Sequence, residues 1–390
     1  MAMSHGEMAP ALAAETEPTV NLLGMTQAEL GAFFQSLEEK PFRAVQVMKW
    51  IHQRGCDDPA QMTDLAKTLR ARLPQVACIR APEVLLAQTA RDGTRKWLLG
   101  LADGNAVEMV FIPEQGRGTL CVSTQVGCAL QCSFCATARQ GFNRNLSSAE
   151  IIAQLWLASR VLQPEGGQSR VISNVVLMGM GEPLLNFEAS VAAMELMLHD
   201  HAYGLSKRRV TVSTAGVVPA IDRLRDTLDV SLAISLHAPD DALRDQLVPL
   251  NRKYPIRELL AACKRYVREG RHHQRITVEY ALINGVNDAP QQAQALARLL
   301  RDLPCKLNLI PFNPFAQSPY AAPTEAAVAR FQDVLTQAGY TTVIRRTRGD
   351  EIDAACGQLV GKVMPRLARR HEAALKGPVR PADMPSREAI

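Results

Sequence analysis

The sequence predicts an α/β protein whose main body is an open, partial (β/α)6 TIM-like barrel, preceded by a small helical domain and a short β extension. From residue 147 onward, helix-like and strand-like segments alternate, and the strands are apolar along most of their length. Such strands form parallel sheets that helices cover. About seven of these strands occur, fewer than the eight of a closed TIM barrel. The barrel should therefore stay open, with its chemistry at the carboxyl ends of the strands.

Changes of composition and periodicity divide the chain into five parts. They are a disordered tail, a helical domain, a β extension, the barrel and a second tail, over 1–20, 21–78, 79–118, 119–365 and 366–390. The first tail is rich in Ala, Glu, Pro and Thr, which is typical of disorder. It has no basic start followed by an apolar block, so it is not a secretory signal. No run of about 18 apolar residues indicates a membrane span, and we expect a cytoplasmic protein.

The overall composition favours an intracellular metal or thiol protein over a disulfide scaffold. The chain has 390 residues and 47% hydrophobic content, enough for a large core. Its nine cysteines are an odd number in a long chain, so metal ligation or thiol chemistry is the better interpretation. A net charge of +5 is compatible with a nucleic-acid partner but does not establish one.

Helix signals fill the domain before the first strand. Thr26 and Glu29 form a capping-box pattern, Pro41 suits the first turn of a helix and Gly55 suits the end of one. The predicted helices cover 26–38, 41–55 and 63–73. Taken alone, the basic residues of this domain favour an ordinary solvated helix surface. Together with the rest of the chain, they make the domain a candidate for binding RNA.

The β extension shows strand-like runs separated by two turns, Asp92-Gly93 and Asp103-Gly104. Glu108 lies inside the third run between Val107 and Met109. A carboxylate in an apolar strand either faces solvent or is held for proton chemistry. The pattern alone favours the solvent face.

Within the barrel the elements alternate as a β/α repeat requires. The predicted strands after the first are 171–178, 208–214, 230–236, 274–282, 306–312 and 341–346. The predicted helices are 147–163, 187–199, 217–226, 240–247, 255–269, 288–302 and 324–338.

Three cysteines lie within eight residues at the start of the barrel. Cys128, Cys132 and Cys135 have the spacing C-x3-C-x2-C, with no fourth ligand nearby. A structural zinc site needs four ligands, whereas three thiolates can hold a cubane iron–sulfur cluster with one iron left free. The triad therefore favours a cluster over a zinc knuckle that recruits a distant ligand.

Polar or glycine-rich groups follow several strands of the predicted barrel. They include Gly181, Glu182, Ser213, a Ser-Leu-His run (Ser235, Leu236 and His237) and Asn313. Each of these groups alone could be turn or capping chemistry. Together with the triad at the same rim, they predict a cofactor pocket. Cys121 and Cys356 have no such context, and each could simply be a small packed residue.

The chain resembles the RlmN branch of the RlmN/Cfr family of radical S-adenosylmethionine (SAM) RNA methyltransferases. The resemblance covers residues 21–365 and rests on six segments in the same order. They are CVSTQVGCALQCSFCATARQGF, GMGEPLLN, STAG, ISLHA, FNP and RGDEIDAACGQL. The triad indicates only the superfamily, while GMGEPLLN and the segment around Cys356 narrow it to this family.

The resemblance implies a route that moves a methyl group through a protein thiol. Cys356 would take a methyl group from one SAM. A second SAM, reduced at a [4Fe-4S] cluster, would yield the radical that activates the S-methyl group. The methyl carbon would then add to adenine C2 and link the protein to RNA. Glu108 would accept the C2 proton, which reverses its assignment to the solvent face, and Cys121 would release the product by forming a disulfide with Cys356.

The resemblance also implies binding residues and partners. Cys128, Cys132 and Cys135 would hold the cluster, and the polar groups at the strand ends, including Leu236, would contact SAM. The implied substrates are an adenosine of 23S rRNA in the peptidyl-transferase centre and adenosine 37 of certain tRNAs, with a flavodoxin as electron donor. We expect a monomer. Several basic residues could contact phosphates of the RNA: Lys207, Arg208, Arg209, Arg345, Arg346 and Arg348.

Two alternatives remain at this point. One is a relative of the Cfr type, which methylates adenosine C8 with the same cluster and thiols. The other is a non-catalytic metal-binding factor of ribosome assembly.

Overall fold

A computed structural model describes residues 20–162, 171–269, 275–316, 318–345 and 347–364. The second predicted tail and all but the last residue of the first lie outside the described residues, as does Arg346. None of the helices in the described part of the chain is long and apolar enough to cross a membrane.

Three helices form the domain that precedes the sheet: α1 (Gln27–Ser36), α2 (Arg43–Met48) and α3 (Lys67–Val76). The predicted capping box is confirmed. Thr26 Oγ1 accepts from the Glu29 amide at 3.3 Å, and the Glu29 carboxylate accepts from the Thr26 amide at 2.8 Å. The second helix continues as a π turn over Lys49–Gln53 and ends before Gly55, which has a φ of 64°. The third helix runs through Pro74, past its predicted end.

The β extension consists of antiparallel neighbours and is continuous with the barrel. Its strands are β1 (Glu83–Thr89), β2 (Arg95–Gly100), β3 (Ala106–Glu114) and β4 (Arg117–Cys121). Gly93 and Gly104 have φ values of 83° and 80° in the two predicted turns. Glu108 is only 6% exposed, so the pattern-based assignment to the solvent face is wrong. The reason is that Lys96 of the neighbouring strand supplies a buried partner for the carboxylate.

The parallel strands continue the same sheet. After a separate hairpin of β5 (Gln125–Gly127) and β6 (Phe142–Asn145), which the sequence did not predict, six strands follow. They are β7 (Asn174–Leu177), β8 (Val210–Thr214), β9 (Ser231–Ser235), β10 (Ile276–Leu282), β11 (Cys305–Pro311) and β12 (Thr342–Ile344). The order is β1-β2-β3-β4-β7-β8-β9-β10-β11-β12, with parallel pairing from β4 onward. β4 pairs with β3 in the antiparallel direction and with β7 in parallel, so the described residues contain seven parallel strands when β4 is counted. This is the predicted number.

Helices cover the outer face of this sheet. They are α5 (Ser148–Leu162), α6 (Phe187–Leu198), α7 (Val218–Thr227), α8 (Asp241–Leu247), α9 (Ile256–Glu269), α10 (Pro290–Leu299) and α11 (Glu325–Gln337). The short α4 (Ala136–Arg139) lies apart from them, in the loop that carries the cysteine triad. All but the short α4 match predicted helices. Alternate strand residues such as Val212, Ile234 and Val278 are fully buried under them, as expected when successive side chains point to opposite faces.

The other face of the strands is polar and surrounds a lumen. Thr211 of β8, Glu279 of β10 and Asn308 of β11 line one cavity together with residues of β4, β7 and β12. Strands at both ends of the parallel set therefore meet around one space. The predicted partial barrel is confirmed by this arrangement.

The helical domain packs on the first two helices of the barrel. Gly24 lies against α5 so closely that a Cβ there would be 2.2 Å from the Ala149 amide nitrogen. The Trp156 indole donates to the Ile51 carbonyl at 2.8 Å, and His52 Nδ1 is 3.3 Å from the Tyr203 hydroxyl. These buried contacts attach the domain firmly to the barrel.

Candidate active site

The three clustered cysteines occupy a loop that the β5–β6 hairpin holds at the rim of the barrel. The Cys128 amide donates to the Gly141 carbonyl at 3.0 Å, and the Cys135 amide donates to the Cys132 carbonyl at 3.2 Å. Gly127, with a φ of 71°, lets the hairpin close, because a Cβ there would be 1.8 Å from the Gly141 carbonyl oxygen. The three side chains line one cavity.

Burial keeps these thiols protonated when nothing positive lies between them. It raises the pKa of Cys128 to about 12, with the Glu182 carboxylate and Cys135 adding to the effect. The pKa of Cys132 is raised well above its usual value and that of Cys135 is also raised, again chiefly by burial. Because ligation requires thiolates, the triad needs a strongly cationic centre to ionise.

The arrangement fits a cluster of several irons better than a single ion. Within the described ranges, no group of three His, Cys, Asp or Glu side chains is close enough to hold one metal ion. The three thiols nevertheless face one cavity of about 170 Å³. Cysteine thiolates spaced around a polynuclear centre are the usual ligands of an iron–sulfur cluster. Three thiolates with one coordination position left open suit such a cluster, whereas a structural zinc site needs a fourth ligand.

Most of the polar groups expected at the strand ends line this same cavity. They are Gly181, Glu182, Ser213, Ser235, His237 and Asn313. Leu236 is the exception, because it is fully buried in the core and is not among the lining residues. Its amide donates to the Glu279 carbonyl at 3.1 Å. Leu236 thus holds the strand end together through its backbone while its side chain packs in the core, and its expected contact with SAM stays a prediction.

Glu182 is a carboxylate held in place by backbone amides. Its Oε1 accepts from the Leu184 amide at 3.1 Å, and its Oε2 accepts from the Ala215 amide at 2.8 Å. Gly181 precedes it with a φ of 95°, where a Cβ would be 2.4 Å from Gln125 Cβ. Burial raises the pKa of Glu182 to about 7, although the hydrogen bonds oppose that shift. The group is suited to bind an ammonium ion.

His237 is neutral and its tautomer is fixed by a backbone hydrogen bond. Its Nδ1 accepts from the Ala281 amide at 2.9 Å, which leaves the proton on Nε2. Burial, assisted by the charge of Arg244, lowers the pKa of His237 to about 3. The ring also contacts Phe134 edge to face, at 4.6 Å between centroids. His237 can therefore donate a hydrogen bond but does not act as a base.

Arg244 organises the strand ends, and sequence reasoning missed it. It is fully buried and donates to the carbonyls of Leu236, Ala215 and Ser235 at 3.0, 2.7 and 3.0 Å. A guanidinium group presents several donors in a fixed plane, so one side chain ties two strand ends together. Its only sequence signal was an arginine in the short helix after the Ser-Leu-His run.

Cys356 lies on the wall between two cavities. It lines the cysteine-triad cavity and also a second cavity of about 840 Å³ on the lumen side. The segment around it crosses the barrel mouth, where the Gly357 carbonyl accepts from the Ala136 amide at 2.8 Å and the Cys356 carbonyl accepts from Asn313 Nδ2 at 3.4 Å. The triad loop and Asn313 therefore both position this thiol.

The other two expected catalytic residues, Cys121 and Glu108, are buried. Cys121, at the end of β4, is 7% exposed, and burial raises its pKa to about 12, with the Cys356 thiolate adding to the effect. Glu108 pairs with Lys96 at 3.1 Å and accepts from the Val360 amide at 3.0 Å. Among the described residues, neither Cys121 nor Glu108 lines the two cavities. The nine cysteines are all free thiols, so the disulfide implied by the resemblance is not supported in this state.

Arg345 interacts electrostatically with both Cys121 and Cys356. It lines both cavities, as Cys356 does. The Cys356 thiolate is the largest cause that raises the pKa of Arg345, and Glu279 and Cys121 raise it further, whereas burial opposes them. Sequence reasoning treated Arg345 only as a candidate phosphate contact. Its positive charge also lowers the pKa of Cys121, although the larger effect of burial raises it.

The second cavity has a strongly basic lining. Two carboxylates, Glu114 and Glu279, face a larger set of cations, which are Arg117, Arg208, Arg209, Lys306, Arg345 and Arg348. A basic space of this size suits an anionic ligand such as a nucleotide. Four of the arginines expected to contact phosphates are thus brought together: Arg208, Arg209, Arg345 and Arg348.

Comparisons with known proteins agree with this geometry. The family model described as the ribosomal RNA large subunit methyltransferase N-terminal domain matches residues 20–79, and that of the radical SAM superfamily matches residues 122–297. The chain is 61% identical over 350 residues to the dual-specificity RNA methyltransferase RlmN of Marinobacter nauticus, covering 90% of this chain and 95% of that protein. A crystal structure of a radical SAM methyltransferase from Sphaerobacter thermophilus has a TM-score of 0.82 and 44% identity, covering 87% of this chain and 99% of the other.

Proposed function

This chain belongs to the RlmN family of radical SAM RNA methyltransferases, and on that premise we propose that it methylates C2 of adenosine in 23S rRNA and at position 37 of certain tRNAs. It is an enzyme that uses a [4Fe-4S] cluster and SAM, as its superfamily does. The observation that carries the proposal is the position of Cys356 on the wall between the triad cavity and the basic cavity. A thiol placed there can receive a methyl group on one side and present it to RNA on the other.

In this proposal Cys128, Cys132 and Cys135 hold the cluster. When bound, the cluster would supply the electron that cleaves SAM, which makes hydrogen abstraction possible. Cys128 is buried, Cys132 and Cys135 are partly buried, and the three would repel one another as thiolates. The charge of the iron centre offsets that repulsion.

The polar rim of the triad cavity binds SAM. Glu182, fixed by two amides, receives the amino group, and Gly181 allows the chain before it to pack against Gln125. Ser213 and Ser235 supply hydroxyl groups, and neutral His237 supplies an Nε2 proton. Asn313 also lines this wall and donates to the Cys356 carbonyl, so it joins the SAM site to the methyl-carrying segment.

Cys356 carries the methyl group as S-methylcysteine. A thiolate is the competent nucleophile for that transfer, and the cation Arg345 lines the same two cavities as Cys356. Cys121 lies near enough for its charge to interact with that of Cys356. It attacks the Cys356 sulfur after the methyl carbon has been joined to adenine C2. An S–S bond forms while the bond between the Cys356 sulfur and that carbon breaks, and the carbon takes a proton to become the methyl group. The RNA is thereby released, and a transient Cys121–Cys356 disulfide is left for reduction.

Glu108 accepts the proton that leaves adenine C2. In the present arrangement its carboxylate is engaged by Lys96 and by the Val360 amide. The segment carrying Cys356 must therefore shift before Glu108 can receive a proton. Glu108 has two successive tasks in this scheme: it holds the segment and then takes the proton.

The proposal extends to partners and domain roles. Residues 21–78 form an RNA-binding domain, 79–118 brace the Cys356 segment and 119–365 perform the chemistry. A flavodoxin supplies electrons, and the enzyme works as a monomer in the cytoplasm, where ribosomes and tRNAs are found.

Mass spectrometry of nucleosides from a deletion strain tests the proposal. We expect 2-methyladenosine to disappear from both 23S rRNA and tRNA, and to return with the wild-type gene but not with Cys356→Ala. Persistence of 2-methyladenosine together with loss of 8-methyladenosine would show a C8 enzyme instead. Anaerobic protein that contains zinc and forms no 5′-deoxyadenosine from SAM would show a non-catalytic metal protein.

A further inference from the structure

The lumen contains a buried carboxyl group that the proposed function leaves without a task. Glu279 of β10 is 3% exposed, and its Oε1 accepts from Asn308 Nδ2 at 2.9 Å. Its Oε2 is buried and has no hydrogen-bond partner in the described part of the chain. Leaving a buried polar atom without a partner costs about 1–3 kcal/mol. Native proteins rarely retain such atoms unless a ligand or water completes them.

Glu279 lines the same part of the barrel lumen as Cys356, the residue that presents the methyl group. It lines both the triad cavity and the basic cavity, as do Cys356 and Arg345. Its position is fixed by the register of β10 and β11, which places it opposite Asn308. The free oxygen is therefore held rigidly near the reacting thiol.

The charge of Arg345 does not explain this carboxyl group. The two side chains influence each other's ionisation, yet no ion pair within 4.0 Å joins them in the ranges that the structure describes. If Glu279 were only a counter-ion, its free oxygen would be expected to contact the guanidinium group. The unsatisfied oxygen points instead to a hydrogen-bond donor that arrives with the substrate.

We propose that Glu279 is a specificity-determining residue that binds the target adenine, accepting a hydrogen bond from its exocyclic amine at Oε2. This inference rests on the proposed function, because it takes the target to be adenine presented by its C2 edge. N1 separates C2 from the carbon that bears the amine. A group that forms hydrogen bonds with the amine and N1 therefore lies alongside C2, which Cys356 must approach.

The chemistry of the carboxyl group suits adenine and rejects guanine. Guanine has a carbonyl oxygen where adenine has the amine, so a carboxylate facing it would be repelled. Burial also raises the pKa of Glu279. In its protonated form the group can still accept from the amine through one oxygen, and it can donate to N1 through the other. In both protonation states Oε2 can accept from the amine of adenine, and the ionised form in addition repels the carbonyl oxygen of guanine.

A substrate lacking the amine tests the assignment. The rate constant kcat/KM is measured with RNA fragments that carry either adenosine or purine riboside at the target position. We expect wild-type enzyme to prefer adenosine by about 10- to 100-fold, the value of one buried hydrogen bond. In Glu279→Ala the preference should fall to within about threefold, because the partner of the amine is gone. Glu279→Gln retains an amide oxygen and should keep part of the preference.

Two controls separate substrate recognition from other roles. Glu114→Gln removes a carboxylate from the rim of the same cavity, where Glu114 pairs with Arg117, and should leave the adenosine preference unchanged. Methylation of Cys356 by SAM without RNA, followed by intact-protein mass spectrometry, should be as complete in both Glu279 variants as in wild type. Loss of that methylation would assign Glu279 to the SAM site and overturn the inference.

The outcomes distinguish this inference from the proposed function. If wild-type enzyme produced no 2-methyladenosine in either RNA, the proposed function itself would fail. If wild type methylated C2 and Glu279→Ala kept the full preference for adenosine, only the role of Glu279 would be refuted.

Discussion

Lys96 and Glu108 form a buried ion pair, with 3.1 Å between Nζ and Oε1, and each also holds the segment that carries Cys356. Lys96 donates to the Asp353 carbonyl at 3.3 Å, and Glu108 accepts from the Val360 amide at 3.0 Å. The pair thereby fixes the chain on both sides of the thiol. The position of the methyl carrier depends on two residues of the β extension, far from it in sequence.

We expect Lys96→Ala to destabilise the protein and to loosen this segment. The substitution leaves Glu108 buried without its ion partner, which costs about 3–5 kcal/mol. Urea denaturation measures the free energy of unfolding, and limited proteolysis reports cleavage within 348–362. The double variant Lys96→Met with Glu108→Gln removes both charges and should be markedly more stable than Lys96→Ala. Equal stability of Lys96→Ala and wild type would refute the role of the pair.

Gly127→Ala should abolish cluster binding. A Cβ there would be 1.8 Å from the Gly141 carbonyl oxygen, on a residue with a φ of 71°. The β5–β6 hairpin must then open, which displaces the triad. Gly116 is a matched control, because its φ is 72° and nothing lies within 4 Å of the added Cβ. We expect Gly116→Ala to retain iron like wild type, whereas Gly127→Ala loses most of it. Equal iron content in the two variants would contradict this account.

Arg244→Met should weaken SAM binding and lower stability together. The substitution leaves the Leu236, Ala215 and Ser235 carbonyls without their donor. Each unsatisfied buried group costs about 1–3 kcal/mol. Equilibrium binding of SAM to the cluster-loaded enzyme, with thermal unfolding, measures both effects. Arg257→Met on the exposed surface of α9 is the control. If both variants bound SAM as wild type does, Arg244 would have no organising role.

Release of RNA from the covalent adduct should accelerate with pH. Burial raises the pKa of Cys121 to about 12, so the thiol is protonated near neutrality. Its thiolate fraction grows about tenfold for each pH unit below that pKa. Single-turnover measurements between pH 7 and 9 should show release accelerating accordingly, and Cys121→Ala should accumulate the adduct. A pH-independent release rate, or normal turnover by Cys121→Ala, would remove Cys121 from this step.

The architecture followed from the sequence because its signals are local. Apolar strands alternate with capped helices, and the Thr26 capping box and the turns at Gly93 and Gly104 form as their residues require. The cysteine triad and the polar strand ends meet at one cavity because the carboxyl ends of parallel strands share a rim. Periodicity and topology were sufficient for these features.

Long-range pairing explains what sequence patterns could not provide. Glu108 appeared to face solvent because nothing near it indicates Lys96 or the Val360 amide as partners. Arg244 resembled an ordinary helical arginine until the fold placed three strand-end carbonyls around it. Leu236 differs from its neighbours Ser235 and His237, because alternation along the strand turns its side chain into the core.

An isotope pulse–chase tests most directly whether Cys356 carries the transferred methyl group. The enzyme is methylated at Cys356 with SAM bearing a carbon-13 methyl group, freed of excess SAM, and given RNA, reductant and unlabelled SAM. We predict that the first 2-methyladenosine formed contains carbon-13 and that later turnovers contain carbon-12. A first product carrying only carbon-12 would contradict a role for Cys356 as the methyl carrier between the two cavities.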